Sequence, residues 1–333
     1  MHKRAFVCTV ILIAALAAIP ILKKNQVTVE PKDTIINLTI DVIPGADVGS
    51  GSRENWLRER AEAFEAENAG VFITVRSLKS DQAQLLYTQD LRDQMGNIAA
   101  YTSGTFCDDA VFVTLDNGTK SQLYMCAGYV LLINPALCEK QGETYHIPSV
   151  AASDAQFDCG SILAAQCFSG TDTVIHTGKR SDMIALFQNE EISAIIASNF
   201  VAYRFCRMAD QDKGFAVEML PLSSCFTDQG HYVSVVDQSE AENQAAKAFA
   251  AFLMEEESQS VCRDIGMFSV YQTEDYESGT ILSSLWENTG QLRIAPPFNW
   301  QNTGELARQL AQRALAGEAS SVNAINRLLA SFN

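Results

Sequence analysis

The chain has 333 residues and carries 40 acidic against 24 basic side chains, a formal net charge of −16 at pH 7. That balance argues against a nucleic-acid partner, because a phosphate-backbone footprint needs clustered Lys and Arg. With 47% hydrophobic residues the chain is long enough for two lobes, each with its own core.

Lys3 and Arg4 precede an apolar run from Ala5 to Leu22, broken only by Thr9 and Pro20 and closed by Lys23 and Lys24. Residues 1–25 therefore read as a signal peptide or an N-terminal membrane anchor. Ala15-Leu16-Ala17 offers a small-residue cleavage site inside the run. The expected location is outside the cytoplasm, at the extracellular face of the cell membrane or in the periplasm.

The stretch IINLTIDVI (35–43) predicts a strand, a polar glycine-bearing loop opens a helix through Phe64, and VFITVRSL predicts a second strand. This is a βαβ unit. The loop fails as a dinucleotide fingerprint, since Glu54 stands where the third glycine belongs after Gly49 and Gly51. Ligands of open α/β sheets bind outside the carboxyl ends of the strands, which puts Arg53 and Trp56 near a cleft.

Further on, AVFVTL (110–115) predicts a strand, and GYVLLINPALCEKQG a strand that turns at Asn134-Pro135 into a short helix. MIALFQNEEISAIIASN predicts a helix and then a strand, while FAVEMLPL and HYVSVV predict extended runs. In AFAAFLMEEESQSVCRDIGMFSVY, Phe249, Phe252 and Leu253 share one helix face. Ser258 can cap a second short helix, Gly266 supplies its left-handed stop, and an apolar strand follows. The C-terminal LARQLAQRALAGEASSVNAINRLLASF predicts two amphipathic helices broken at Gly317.

Among the nine cysteines, Cys107, Cys138, Cys167 and Cys262 sit in apolar segments, and no CxxC occurs. Buried thiols and one or two disulfides are both compatible with this pattern. His2, His146, His176 and His231 are scattered, with no HExxH, GxSxG or zinc-ligand spacing. Paired carboxylates such as Asp108-Asp109 could serve acid/base chemistry in a glycosidase, but neighbouring residues on an extended edge point to opposite faces, so this pair reads as a solvated turn.

The ordered series WLRERAEAFEAENAGVFITV, GYVLLINPALCEKQG, MIALFQNEEISAIIAS, VEMLPL, HYVSVV, AAKAFAAFLMEEESQSVCRDIG and ALAGEASSVNAINRLL resembles the extracellular solute-binding proteins that feed ABC importers, in particular those that bind sugars and oligosaccharides. The resemblance spans most of the chain after residue 25. It implies an α/β, two-lobed periplasmic-binding-protein-like fold with a hinge and an interlobe cleft. Residues 33–129 with 230–269 would form lobe one, and residues 130–229 with 270–333 lobe two.

It also implies a binding protein and not an enzyme, with no cofactor. The partners would be a small-molecule solute, a sugar or oligosaccharide, and the membrane subunits of an ABC importer. Nucleic acid is not among them, and membrane contact would run through the N-terminal segment only. An alternative is a membrane-anchored sensor or scaffold that keeps the two-lobe fold without transport. Tyr129, Asn199, His231 and Tyr232 fall where this family tends to line its cleft. A sugar offers flat apolar faces to aromatic rings. Trp56, and Trp300 in the proline-rigidified APPFNWQN loop, are accordingly expected to face one another across the groove.

Overall fold

The computed structural model describes residues 35–43, 51–79, 82, 86–87, 93–155, 158–271, 276–277, 279–289 and 292–332. The segment read as signal peptide or anchor lies outside the described residues. No described helix is long and apolar enough to cross a membrane.

The first lobe is built on a five-stranded sheet of order β2-β1-β3-β13-β4. Strands β1 (Ile36–Val42), β2 (Val71–Ser77) and β3 (Ile98–Thr102) run parallel, with β1 in the middle of the three. Helix α1 (Gly51–Glu67) connects β1 to β2, and Gly70 takes φ 90° before β2. β4 (Gln122–Cys126) and β13 (Gly230–Val235) complete the sheet, β13 running antiparallel to both of its neighbours.

The second lobe repeats the plan with order β11-β5-β10-β8-β9. Its strands are β5 (Tyr129–Ile133), β8 (Ser149–Ser153), β9 (Val174–Gly178), β10 (Ala194–Ser198) and β11 (Glu218–Leu220). β8, β9 and β10 are parallel, and β5 is antiparallel to β10. Every residue of β5 and β10 is buried, as expected of strands covered on both faces. A β6–β7 hairpin (Glu139–Gln141, Thr144–His146) and a short pair β12 (Phe226–Thr227) with β14 (Arg293–Ile294) lie outside the two sheets.

Helices α2 (Gly160–Phe168), α3 (Arg180–Gln188) and α4 (Asn199–Asp210) follow β8, β9 and β10 directly, so their N-termini gather at the carboxyl ends of those strands. Helix α5 (Glu240–Phe252) starts at a capping box of Ser239 and Glu242 and packs on β1 and β13. Its Phe249 and Phe252 meet Phe64 of α1 edge-on at 5.4 Å, and Leu253 is fully buried. Helix α6 (Glu256–Ser260) and a 3-10 turn (Cys262–Ile265) follow, and Gly266 ends them at φ 73°. Ser258 does not cap: it is buried within α6, and Glu255 holds the cap position. Helix α7 (Ile281–Thr289) packs on α4 and β5, and helices α8 (Trp300–Leu315) and α9 (Ala319–Ala330) flank Gly317 and cover α2.

Two predicted strands are absent. Residues 110–115 make only an isolated bridge, Phe112 to Val236, because Phe112 serves as a ring in an aromatic cluster with Tyr101 and Phe106. The apolar stretch after Gly266 likewise makes a single bridge, Phe268 to Cys126. No disulfide joins any two of the eight described cysteines.

The chain passes from the first sheet to the second through Ala127 and Gly128 alone, and returns through Asp228 and Gln229. The two passages are bonded side by side. Ala127 N donates to Gln229 O at 3.0 Å, and Thr227 Oγ1 donates to Ala127 O at 2.7 Å.

Candidate functional site

On the first lobe, Arg53 stands in the first turn of α1, where it is buried. Its Nη2 donates to Ile43 O at 2.7 Å, and its Nη1 lies 2.7 Å from Nδ1 of the fully buried His231 on β13. A guanidinium can only donate, so Nδ1 accepts and the imidazole is neutral with its proton on Nε2. The next residue, Tyr232, stacks on Tyr101 and donates its hydroxyl to Ala295 O at 3.0 Å.

On the second lobe a denser polar cluster forms where β5 begins and β8, β9 and β10 end. Asp158, just before α2, accepts from Gly160 N at 2.9 Å and from Arg180 Nε at 2.8 Å; Arg180 Nη2 is 2.7 Å from the same carboxylate. The Tyr129 hydroxyl lies 2.8 Å from Asp228 Oδ1 and 3.2 Å from Asp158 Oδ1, and accepts from Gln229 Nε2 at 2.9 Å. One hydroxyl proton can serve only one of the two carboxylates.

Two buried carboxylates thus share one phenol hydroxyl, and one of them pairs with a guanidinium. Burial first, and the neighbouring Asp158 charge second, raise the Asp228 pKa above the ordinary carboxylate value. Burial also lifts the Tyr129 phenol well above its usual range, so it remains a donor. Burial works against the Arg180 charge, but Asp158 outweighs it and the guanidinium pKa is raised.

Beside this cluster a cavity of about 10 Å³ is lined by Tyr129, Ser153, Asp158, Arg180 and Ser198, with Ile195, Ile196 and Val201 among its apolar walls. That is room for about one water. Among the described residues no group of three or more His, Cys, Asp or Glu side chains is arranged to hold a metal ion.

Of the residues singled out in the sequence, Arg53 of α1 and His231 of β13 touch, and Tyr232 follows His231 on β13. Asn199 is buried at the crossing: its Oδ1 accepts from Gly128 N at 3.2 Å and its own N–H donates to Gly128 O at 3.1 Å. Tyr129 pairs with Ser198, the neighbour of Asn199.

The expectation that Trp56 and Trp300 face each other across a groove is overturned. Trp56 stacks on Tyr124 with ring centroids 5.7 Å apart inside the first lobe's core. Trp300 is 1% exposed and wedged between Phe226 and Phe332 in the second lobe's core. Helix α8 begins at Trp300 itself, which turns the ring inward and away from the loop.

Part of the space between the lobes is taken by the segment 293–299. Ala295 O accepts from Ser103 Oγ at 2.9 Å as well as from Tyr232, Ala295 N donates to Thr227 O at 2.8 Å, and Phe298 stacks on Phe112. Asp158, Arg180, Asp228 and Gln229 were not singled out from the sequence. Arg180 opens a helix directly after a strand, the same signal that flagged Arg53, and could have been found by it.

No family model matches the sequence, and no curated protein does. Among solved structures, the cyclic α-maltosyl-1,6-maltose binding protein from Arthrobacter globiformis superposes with a TM-score of 0.57 at 15% identity, covering 90% of this chain and 98% of its own. The maltose-bound MalE3 of T. maritima superposes with a TM-score of 0.56 at 13% identity, over 89% of this chain and 99% of its own. This is the fold of the two-lobed solute-binding proteins. Iron-bound HitA from Pseudomonas aeruginosa also matches, with a TM-score of 0.50 at 11% identity over 86% of this chain and 99% of its own.

Proposed function

We propose that the chain is an extracytoplasmic solute-binding protein that captures a small polar solute, a sugar or oligosaccharide, between its lobes and presents it to the membrane subunits of an ABC importer. The observation that carries this reading is the cluster of Tyr129, Asp158 and Arg180 at the strand ends of the second lobe. Carboxylate and guanidinium groups fixed side by side can accept from and donate to neighbouring hydroxyls of one sugar. The ligands of the maltosyl-maltose and maltose neighbours support the solute class, while the iron-bound neighbour shows that the fold alone does not choose it.

Residues 33–129 with 230–269 as one lobe and 130–229 with 270–333 as the other is our proposed division. We place the protein outside the cytoplasm, held or delivered by residues 1–25. We read it as a binding protein without catalytic activity. The carboxylates of the glycosidase alternative, Asp108 and Asp109, are exposed, and Asp109 is 3.6 Å from Lys120.

Calorimetric titration of the full chain with glucose, maltose and maltotriose tests the reading. Saturable binding of at least one, weakened about ten-fold or more by Asp158→Asn or Arg180→Gln, is expected, since each removes a charged hydrogen-bond partner. Absence of binding across the panel, with no rise in melting temperature, would sink it. One observation favours a sensor or scaffold without transport: the chain's own segment 293–299 already bonds to groups of both lobes.

A further inference from the structure

Helix α4 shows its apolar face, with Val201, Ala202 and Phe205, to the second lobe's core. A different stripe, Phe200, Tyr203, Arg204, Arg207, Met208 and Gln211, follows the three- and four-residue spacing of one helix side and lines an open cleft of about 390 Å³. Asp264 and Ile265 of the 3-10 turn form the far wall, so the cleft lies where the second lobe's helix approaches the first lobe. Its size is that of a small-molecule site. A second cleft of about 530 Å³ shares Tyr203 and carries Arg263, Glu277, Ile281 and Leu282.

The charge here runs against the rest of the chain. In a protein of net charge −16, no ion pair joins Arg204, Arg207 or Arg263 to a carboxylate among the described residues. Arg207 lies over the Tyr203 ring at 5.9 Å, and Arg204 lies over Phe205 at 6.0 Å and donates only to Gln188 Oε1 at 3.3 Å. The guanidinium groups are therefore held on aromatic faces with their charge unneutralised. Asp264 is the one carboxylate lining the first cleft.

We infer that this cleft is a second ligand site, separate from the proposed solute site at Tyr129, Asp158 and Arg180, for a small amphiphilic anion: a carboxylate, sulfonate or phosphate head held by Arg204 and Arg207 and an apolar or aromatic body laid on Tyr203, Phe200 and Met208. Arg is suited to the head because its planar donors pair with oxyanions two at a time. Half-buried Tyr203 and Met208 suit the body, since flat or flexible apolar chains pack well on such surfaces. The anion would find no comparable reception on the surrounding acidic surface.

The test is fluorescence titration of the full chain with 1-anilinonaphthalene-8-sulfonate, beside its uncharged analogue N-phenyl-1-naphthylamine. The sulfonate is expected to bind saturably and about ten-fold or more tightly than the analogue, and the Arg204→Gln/Arg207→Gln double variant to lose about as much, from the loss of charge-assisted contacts. A single variant, Asp264→Asn, leaves both arginines in place and should tighten sulfonate binding by removing the one opposing charge. Equal affinity for the two dyes, unchanged binding in the double variant, or weaker binding in Asp264→Asn would each overturn the assignment. The dyes report on this cleft and the sugars on the proposed solute site at Tyr129, Asp158 and Arg180, so either site can fail without the other.

Discussion

Tyr129 donates its hydroxyl to Oδ1 of Asp228 at 2.8 Å, tying the first residue after one passage between the lobes to the first residue of the return passage. Replacing it with Phe removes that donor and also the acceptor that Gln229 and Cys159 N use. Tyr129→Phe is expected to destabilise the chain by about 1–3 kcal/mol, the range for stranding buried polar groups. Urea unfolding of the variant checks it, and an unchanged midpoint would show that the bond contributes nothing.

Asp228 gives the stability a pH dependence of unusual sign. Its folded-state pKa is raised, so the neutral form is favoured in the folded protein, and its stabilising contribution is full below the unfolded value and lost as pH rises through the folded one. Asp158 and Arg180 stay in place to fix the background. Asp228→Asn should therefore melt at or above the wild-type temperature at pH 7, with the difference shrinking as pH falls towards the unfolded carboxylate value. Melting curves at a series of pH values decide, and a gap that widens on acidification contradicts the assignment.

Trp300 is a packing residue. Cutting it to Ala should lower stability by about 3–5 kcal/mol, the usual effect of removing a buried aromatic ring. The unfolding midpoint will show it, while the affinity of the folded molecules for any interlobe solute should not fall in proportion.

Gly230 opens β13 beneath the 293–299 segment, and a Cβ there would collide with Ile294 Cγ2 and come within 2.9 Å of Tyr232 Cε2. Gly230→Ala is expected to push the segment off its seat and destabilise the fold by about 1–3 kcal/mol, as overpacking does. Amide exchange at Ala295 and Asn299, whose N–H groups bond Thr227 O and Phe106 O, should quicken before exchange in β10 does.

The sheets were legible because their strands are short apolar runs closed by turns: IINLTIDVI, GYVLLI and HYVSVV all lie in or across strands. Periodicity also located Phe249, Phe252 and Leu253, and the break at Gly317. It misjudged 110–115 because an aromatic cluster and a strand select the same residue types. The site was half legible. Arg53, His231, Tyr129 and Asn199 follow from their places at strand ends, but Asp158 and Asp228 are isolated carboxylates in polar loops, and only folding brings them to one hydroxyl. The tryptophans misled because ring size signals burial as readily as stacking, and nothing local tells the two apart.

The passages at Ala127–Gly128 and Asp228–Gln229, two of the three that the proposed division requires, are single chain lengths bonded to each other, with Gly128 so tightly seated that a Cβ would lie 2.7 Å from Thr289 Cγ2. A ribbon of that kind would bend like a door on a pin, with displacement growing with distance from the axis. Contacts beside the pin, Tyr129 with Asp228 among them, would travel little through a full swing, while the far rim moves most. Under the proposed reading, capture of a solute would be driven by a few contacts near the pivot, the rim supplying the stroke.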